Sequence, residues 1–341
     1  MMRAIELGKN ALGKAAPNPM VGAVIVHQDR IIGEGFTSEY GGPHAEVNAI
    51  ASVTNKSLLK EAKLYVTLEP CSHYGKTPPC SDLILKHQIP EVIIGLKDPH
   101  SKVAGRGIEK LEAAGVKVRI GVLARECSAH HKRFLRFQEQ KRPYIILKWA
   151  ESKDGFLAPL PEKRTSEAAP YWITNSYSQQ LVHQWRAQEQ AILVGTNTVL
   201  EDNPRLTSRS WSGKNPTRVV LDKNLRLPKS SHLFDGSVNT LVLTENSASI
   251  NANNLIFEKI DFEKAVAEII SVLVKHEITS IIVEGGAKML QSFITSNCWD
   301  EARIFKGTPL FGKGVAAPKI DGNIISTQQI KNDQLIVLEN D

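Results

Sequence analysis

The 341 residues contain few cysteines and few aromatic side chains, and neither sign of charge dominates. Four cysteines are too sparse for a disulfide scaffold. Aromatics make up 6% and do not interleave with the basic residues, which argues against a stacking groove for nucleic acid. No apolar run approaches the roughly 20 residues that cross a bilayer, so no membrane partner is expected. Glu6 stands where a secretory leader keeps its apolar core, and a cytoplasmic protein with reduced thiols is the expectation. The second half lacks a Gly-x-Gly-x-x-Gly fingerprint, so an ordinary Rossmann dehydrogenase is not supported.

What is present is the composition of a folded soluble chain, 42% hydrophobic and 23% charged. At roughly 100–200 residues per domain, the length suits two domains. The formal charge of +6 lies mostly in the first 140 residues, with 19 Lys+Arg against 14 Asp+Glu. Its densest cluster, Lys132, Arg133 and Arg136 with Lys141 and Arg142, is short and reads as a solvated helix end or linker. So mild a surplus suits phosphorylated metabolites as well as polymers, and charge alone does not choose.

Apolar periodicity predicts an α/β chain. A hairpin is expected from strands at residues 21–26 and 31–36, then a helix over 45–52 and a strand over 64–68. A helix over 81–88, a strand over 92–96, a helix over 107–114 and a strand over 116–122 follow. Strands separated by helices of this length suggest a largely parallel sheet. Residues 126–142 read as one basic helical connector ending at Pro143. The rhythm then restarts with strands at 144–148, 191–195, 218–221, 240–243 and 280–283, and helices at 176–188 and 262–276. A boundary near 140 gives domains 1–142 and 143–341.

His44-Ala45-Glu46 opens a predicted helix, Glu69-Pro70-Cys71 follows a predicted strand, and Pro79-Cys80 opens the next helix. One imidazole and two thiolates suit Zn²⁺, and three protein ligands leave a tetrahedral position open for catalysis. Zinc brings the pKa of water down toward about 7. Glu46, two residues beyond His44, is placed to accept that proton and return it to a leaving amine. His-x-Glu with Pro-Cys and a second Cys is the signature of zinc nucleobase deaminases. The usual Pro-Cys-x-x-Cys is here stretched by the spacer SHYGKTPP. In that spacer, His73 and Lys76 are candidates either for substrate contact or for loop solvation. Gly105-Arg106-Gly107 lacks the third glycine of a nucleotide loop and reads as a helix-opening turn, while Cys127 and Cys298 have no motif partners.

Pro17-Asn18-Pro19-x-Val21-Gly22, His44-Ala45-Glu46-Val47, TLEPC at 67–71, GKTPPC at 75–80, Asp98-Pro99 and Gly105-x-Gly107 together resemble the bacterial bifunctional riboflavin-biosynthesis deaminase/reductase family. The longer Cys-to-Cys spacing is what that family carries. In the second half, the similarity continues through Lys148-x-Ala150-x-Ser152-x-Asp154-Gly155, Trp172-Ile173-Thr174 and His183 to Arg186. It extends to AILVG at 191–195, Thr198 to Pro204, Leu206-Thr207-x-Arg209 and Val283-Glu284-Gly285-Gly286.

The resemblance implies a cytidine-deaminase-like α/β/α layered domain followed by a dihydrofolate-reductase-like α/β domain. It implies Zn²⁺ and NADPH as cofactors and a phosphorylated pyrimidine as substrate. The reactions implied are hydrolytic deamination of a phosphoribosylamino-diaminopyrimidinone, then reduction of its ribosyl side chain. By the same resemblance His44, Cys71 and Cys80 hold the metal and Glu46 is catalytic. Ala150, Trp172, Thr198, Asp202 and Gly286 contact NADPH, and Asn18, Arg186, Leu206, Arg209 and Glu284 contact substrate. Asn18 can equally be a purely structural turn. At Gly286, glycine and the following helix start also suit a phosphate on physical grounds.

The sequence departs from the family at Lys153, where an apolar residue is usual, at Gln190, where an acid is often found, and in the irregular polar stretch 159–169. Two other readings remain open. One is a zinc deaminase of another nucleoside or of nucleic acid, with an inactive second domain. The other is a zinc-stabilised binding module, for which His73 is the nearby fourth ligand. A homo-oligomer is compatible with the sequence.

Overall fold

The computed structural model describes residues 1–74, 78–99, 105–160, 169–246 and 254–340. The chain forms two units, Met1–Lys141 and Arg142–Asp341.

The first unit opens with helix α1 (Met2–Gly8) and the expected hairpin, β1 (Gly22–His27) and β2 (Arg30–Phe36). Gln28 and Asp29 at its tip both take positive φ, 47° and 58°, the mirror-image turn that joins twisted antiparallel strands. Helix α2 (Ala45–Ser52), β3 (Lys63–Leu68), α3 (Cys80–Lys86), β4 (Glu91–Leu96), α4 (Arg106–Ala113) and β5 (Lys117–Ile120) complete the sheet and its covering. The strand order is β2-β1-β3-β4-β5. The sheet is mixed rather than largely parallel: β1 is antiparallel to both neighbours, and only β3, β4 and β5 run together. A two-residue turn can join only antiparallel strands, so the hairpin itself imposes the difference.

Val66, Leu68, Val92 and Ile94 are buried among Ala45, Ala49, Ile50, Ile84, Ile108 and Leu111 from the covering helices. At Gly35 a Cβ would collide with the backbone of Ala45 and Ala49, so only glycine lets α2 lie this close to β2. That approach fixes the start of α2, where His44 sits. The basic connector is two helices, α5 (Ala124–His130) and α6 (Lys132–Gln140). They break where His130 and His131 turn inward, to the Met20 carbonyl at 2.6 Å and the Thr67 hydroxyl at 3.0 Å.

The second unit contains β6 (Tyr144–Glu151), β7 (Phe156–Pro159), α7 (Ser176–Gln188), β8 (Ala191–Gly195) and α8 (Thr196–Asp202). It continues with β9 (Thr217–Leu221), β10 (Thr240–Thr244), β11 (Leu255–Lys259), α9 (Ala265–Lys275), β12 (Ser280–Val283) and α10 (Ala287–Thr295). Strands β13 (Glu301–Lys306), β14 (Gly314–Ala316), β15 (Asn323–Ile330) and β16 (Asp333–Glu339) close it. Nine strands form one sheet in the order β11-β10-β9-β8-β12-β6-β13-β16-β15, parallel from β11 to β13. Helices α9 and α10 cover one face, with Ile269, Leu273, Leu290 and Phe293 against Ile145, Leu193 and Ile281. Helix α7 covers the other, with Val182 and Trp185 against Ile146, Ile282 and Phe305. The strand β12 is inserted between β8 and β6, so the carboxyl ends of three parallel neighbours lie side by side. In open α/β sheets such an edge is where ligands bind.

Candidate functional site

His44 is the N-cap of α2, in extended conformation, and Glu46 lies in the first turn. Cys71 follows β3, and Cys80 is the first residue of α3. The His44 Nδ1 atom stands 3.6 Å from the Cys71 sulfur and 3.3 Å from the Cys80 sulfur. All three ligand atoms lie within 4.8 Å of one another. Bond lengths of about 2.1 Å to nitrogen and 2.3 Å to sulfur, at tetrahedral angles, would space such atoms by about 3.6 Å. The donor set and its spacing therefore fit zinc, with no fourth protein ligand in the cluster among the described residues. His73 is exposed and stands outside it, and Lys76 lies outside the described residues.

Electrostatics agree with a cationic occupant. The Cys80 side chain and then the His44 imidazole hold the Cys71 thiol down to about 4. The Cys80 backbone N–H also donates to the Cys71 sulfur, at 3.3 Å. Cys80 keeps the shared proton: its interaction with Cys71 and its burial push its thiol up. Glu46 is only 3% exposed, and burial, with the Cys71 charge, pushes its carboxyl up to about 7. A carboxyl that titrates near neutrality is suited to take up and release a proton.

Glu69, beside Pro70-Cys71, has a job that sequence reasoning missed. Its buried carboxylate accepts backbone N–H bonds from Asp98 at 3.2 Å, Gly105 at 3.0 Å, Gly107 at 3.0 Å and Ile108 at 3.3 Å. It thereby ties the segment carrying a metal ligand to the start of α4. The Gly105-x-Gly107 turn is the helix opening expected, with Gly105 at φ 89°, and a Cβ at Gly107 would strike the Pro70 carbonyl.

The second unit holds a cleft of about 640 Å³ along the carboxyl ends of β9, β8, β12 and β6. Ala150, Trp172, Arg186, Thr198, Asp202, Leu206, Arg209, Glu284 and Gly286 all line it. Gly195 and Gly286, the N-caps of α8 and α10, follow the adjacent strands β8 and β12, and a Cβ on either would meet nothing within 4 Å. Two helix starts facing open space fit the pyrophosphate of a dinucleotide. Nearby, Glu284 is gripped by Arg186 through two hydrogen bonds, 2.8 and 3.2 Å, with the Lys148 ammonium at 3.7 Å. Burial alone would raise the Glu284 carboxyl, but Arg186 and Lys148 overcome it and hold it at about 2. Burial, then Arg186 and Arg205, depress the Arg209 guanidinium, which also lines the cleft.

The family described as the RibD C-terminal domain matches residues 143–340. The zinc-binding region of cytidine and deoxycytidylate deaminases matches residues 1–96. The riboflavin biosynthesis protein RibD of Bacillus amyloliquefaciens is 40% identical over 331 residues, 94% of this chain and 87% of the relative. The chain belongs to the RibD family. RibD of Escherichia coli K12 is 32% identical over 92% of this chain and 88% of its own. A crystal structure of a diaminohydroxyphosphoribosylaminopyrimidine deaminase/5-amino-6-(5-phosphoribosylamino)uracil reductase from Thermotoga maritima superposes with a TM-score of 0.90 at 36% identity. It covers 100% of this chain and 97% of that one. Acinetobacter baumannii RibD gives 0.89 at 31%, covering 99% and 97%. The RibD chain is thus a bifunctional deaminase and reductase of riboflavin biosynthesis, with zinc in its deaminase-like first domain and NADPH serving its α/β reductase domain.

Of the three departures from the RibD pattern, the two single-residue ones are accommodated by their surroundings. The Gln190 amide oxygen accepts from the Thr279 backbone N–H at 2.6 Å and from its hydroxyl at 2.8 Å, so it serves as the acceptor an acid would be. Lys153 is exposed on a turn held by Asp154, which accepts from Ser152, Phe311 and Gly312. Of the polar stretch 159–169, residues 161–168 lie outside the described residues. Asn18 is half-buried in the turn before β1, its backbone N–H on the Ala15 carbonyl. Lys148 and Gly195 were invisible as site residues because their partners arrive from β12 and β9, far along the chain.

Proposed function

We propose that residues 1–142 carry out the deamination and residues 143–341 the reduction, on a phosphorylated diaminopyrimidinone, in the cytoplasm and without a nucleic-acid or membrane partner. The observation that carries this reading is the convergence of His44 Nδ1 and two cysteine sulfurs within 4.8 Å beside a buried Glu46. No helix among the described residues is long and apolar enough to cross a membrane.

In this reading His44, Cys71 and Cys80 hold the zinc, and Asn18 reads the pyrimidine edge. When bound, zinc supplies an electropositive centre that makes water acidic near neutral pH. Glu46 takes the water's proton on a carboxylate oxygen and passes it to the departing amino group, which leaves as ammonia. Burial of Glu46 keeps that proton from bulk solvent.

In the reductase cleft, NADPH when bound supplies the hydride. The N–H groups after Gly195 and Gly286 receive its pyrophosphate, and Ala150, Trp172, Thr198 and Asp202 line its path. Glu284, held ionised by Arg186 and Lys148, and Leu206 position the opened ribose. Arg186 is committed to Glu284, which leaves Arg209 as the guanidinium for the substrate phosphate. An inert second domain is the weaker reading, because the open cleft is lined by this complete cationic and glycine set.

The test is metal analysis with an assay on the diaminopyrimidinone phosphate. Ammonia should appear without NADPH, and NADPH oxidation should follow only after deamination. Chelation should stop the first reaction and leave reduction of supplied deaminated substrate intact. A metal-free protein that still releases ammonia would refute the assignment.

A further inference from the structure

We infer that His130 is a positioning residue for the deamination: through the Met20 carbonyl it aims the Asn18 amide at the substrate. This role presupposes Asn18 as the reader of the pyrimidine edge, as proposed above. The Asn18 side chain is half-buried, yet its amide has no hydrogen-bond partner among the described residues. Its direction is therefore set by the backbone that carries it. Pro17 and Pro19 fix φ on either side, and the Asn18 backbone N–H is held by the Ala15 carbonyl at 3.0 Å.

The exit of the turn is pinned at a single peptide. The Met20 carbonyl accepts from the His130 ring at 2.6 Å, across 110 positions of sequence, and the Val21 N–H donates to the Thr37 hydroxyl at 3.0 Å. The peptide joining Met20 to Val21 cannot rotate without breaking both bonds. A carbonyl only accepts, and burial keeps the His130 imidazole neutral, so its one proton sits on Nε2. Helix α5 gives that ring a firm base. His131 reaches the Thr67 hydroxyl at 3.0 Å, and Cys127 fills the space that a Cβ at Gly95 would need. At the end of α1, a Cβ on Gly8 would lie 2.5 Å from His130 Nε2 and 2.6 Å from the Met20 oxygen, so glycine leaves the bond its room. The contact stands apart from the cluster of His44, Cys71 and Cys80.

A double-variant cycle on the full-length, zinc-loaded protein tests the link. The readouts are KM and kcat for ammonia release from the diaminopyrimidinone phosphate, together with bound zinc. Asn18→Ala and His130→Ala should each raise KM about 10-fold, and the double variant should also stop at about 10-fold, because both remove one directed contact. In His130→Ala, kcat, zinc content and reduction of supplied deaminated substrate should hold. His130→Gln, whose amide N–H can take the place of the ring's, should recover most of the loss. Unchanged KM in His130→Ala beside a raised KM in Asn18→Ala would overturn the inference alone. So would increments that multiply in the double variant, no recovery in His130→Gln, or zinc and kcat lost together with KM, each of which makes His130 a packing residue. Unchanged KM in Asn18→Ala would overturn the role of Asn18, and that of His130 with it.

Discussion

Arg186 meets Glu284 edge to edge, Nη2 to Oε2 at 2.8 Å and Nε to Oε1 at 3.2 Å, both side chains 12% exposed. The pair joins α7 to the end of β12 at the floor of the reductase cleft. In the proposed reading, a carboxylate so placed orients a sugar hydroxyl without taking its proton, because its own proton is lost far below neutral pH.

Glu284→Gln tests that pairing through acid stability. The folded-state value, about 2, lies below the ordinary 4.5. The contribution is therefore complete above about pH 4.5 and disappears as pH falls toward 2, on the order of 3 kcal/mol in all. Denaturant unfolding across this window should show a shallower pH dependence in the variant, together with lost reduction. An identical slope would refute the coupling.

Glu46→Gln keeps the size of the side chain and removes its proton traffic. Zinc content should stay stoichiometric while deamination falls by about 10²- to 10⁴-fold and reduction of supplied deaminated substrate persists. Mass spectrometry of bound metal beside both assays reads the outcome.

Gly286→Asp separates helix stability from cofactor binding. An aspartate at the N-cap of α10 should maintain or raise the thermal midpoint, since that position favours it. Its charge would occupy the open space meant for phosphate, and NADPH affinity should drop about tenfold or more. Fluorescence titration with NADPH decides it.

Glu69→Gln should unsettle the deaminase domain although the residue touches no metal. An amide cannot replace a carboxylate that accepts four backbone N–H groups, and about 2 kcal/mol or more of stability should go. Differential scanning calorimetry should show a lowered transition, while an unchanged one would make the clamp dispensable.

The candidate metal site was legible because its chemistry is local: His44, Glu46, Cys71 and Cys80 each sit where a helix begins or a strand ends, and the period of the flanking apolar residues marks those places. The buried strands β3, β4, β8 and β12 were legible for the same reason. Glu69 was read only as a letter in a motif, since its donors come from residues 98–108. Strand β15 escaped notice because its side chains are nearly all exposed, which erases the alternation that announces a strand. Helix α1 is short and offers no acidic first turn or side-chain cap to mark it. Gln190 looked like a defect, and its role depends on Thr279, which arrives only with β12.

The insertion of β12 between β6 and β8 also sets an order of events. Tyr144 pairs with Ser280, so the floor of the reductase cleft waits for a strand made near the end of synthesis. All three candidate metal ligands are complete by residue 80, and the sheet that carries them by residue 120. Domains generally mature in the order they emerge. On a translating ribosome the first active centre can therefore be folded and loaded with its ion while the second is still an open sheet lacking its middle strand.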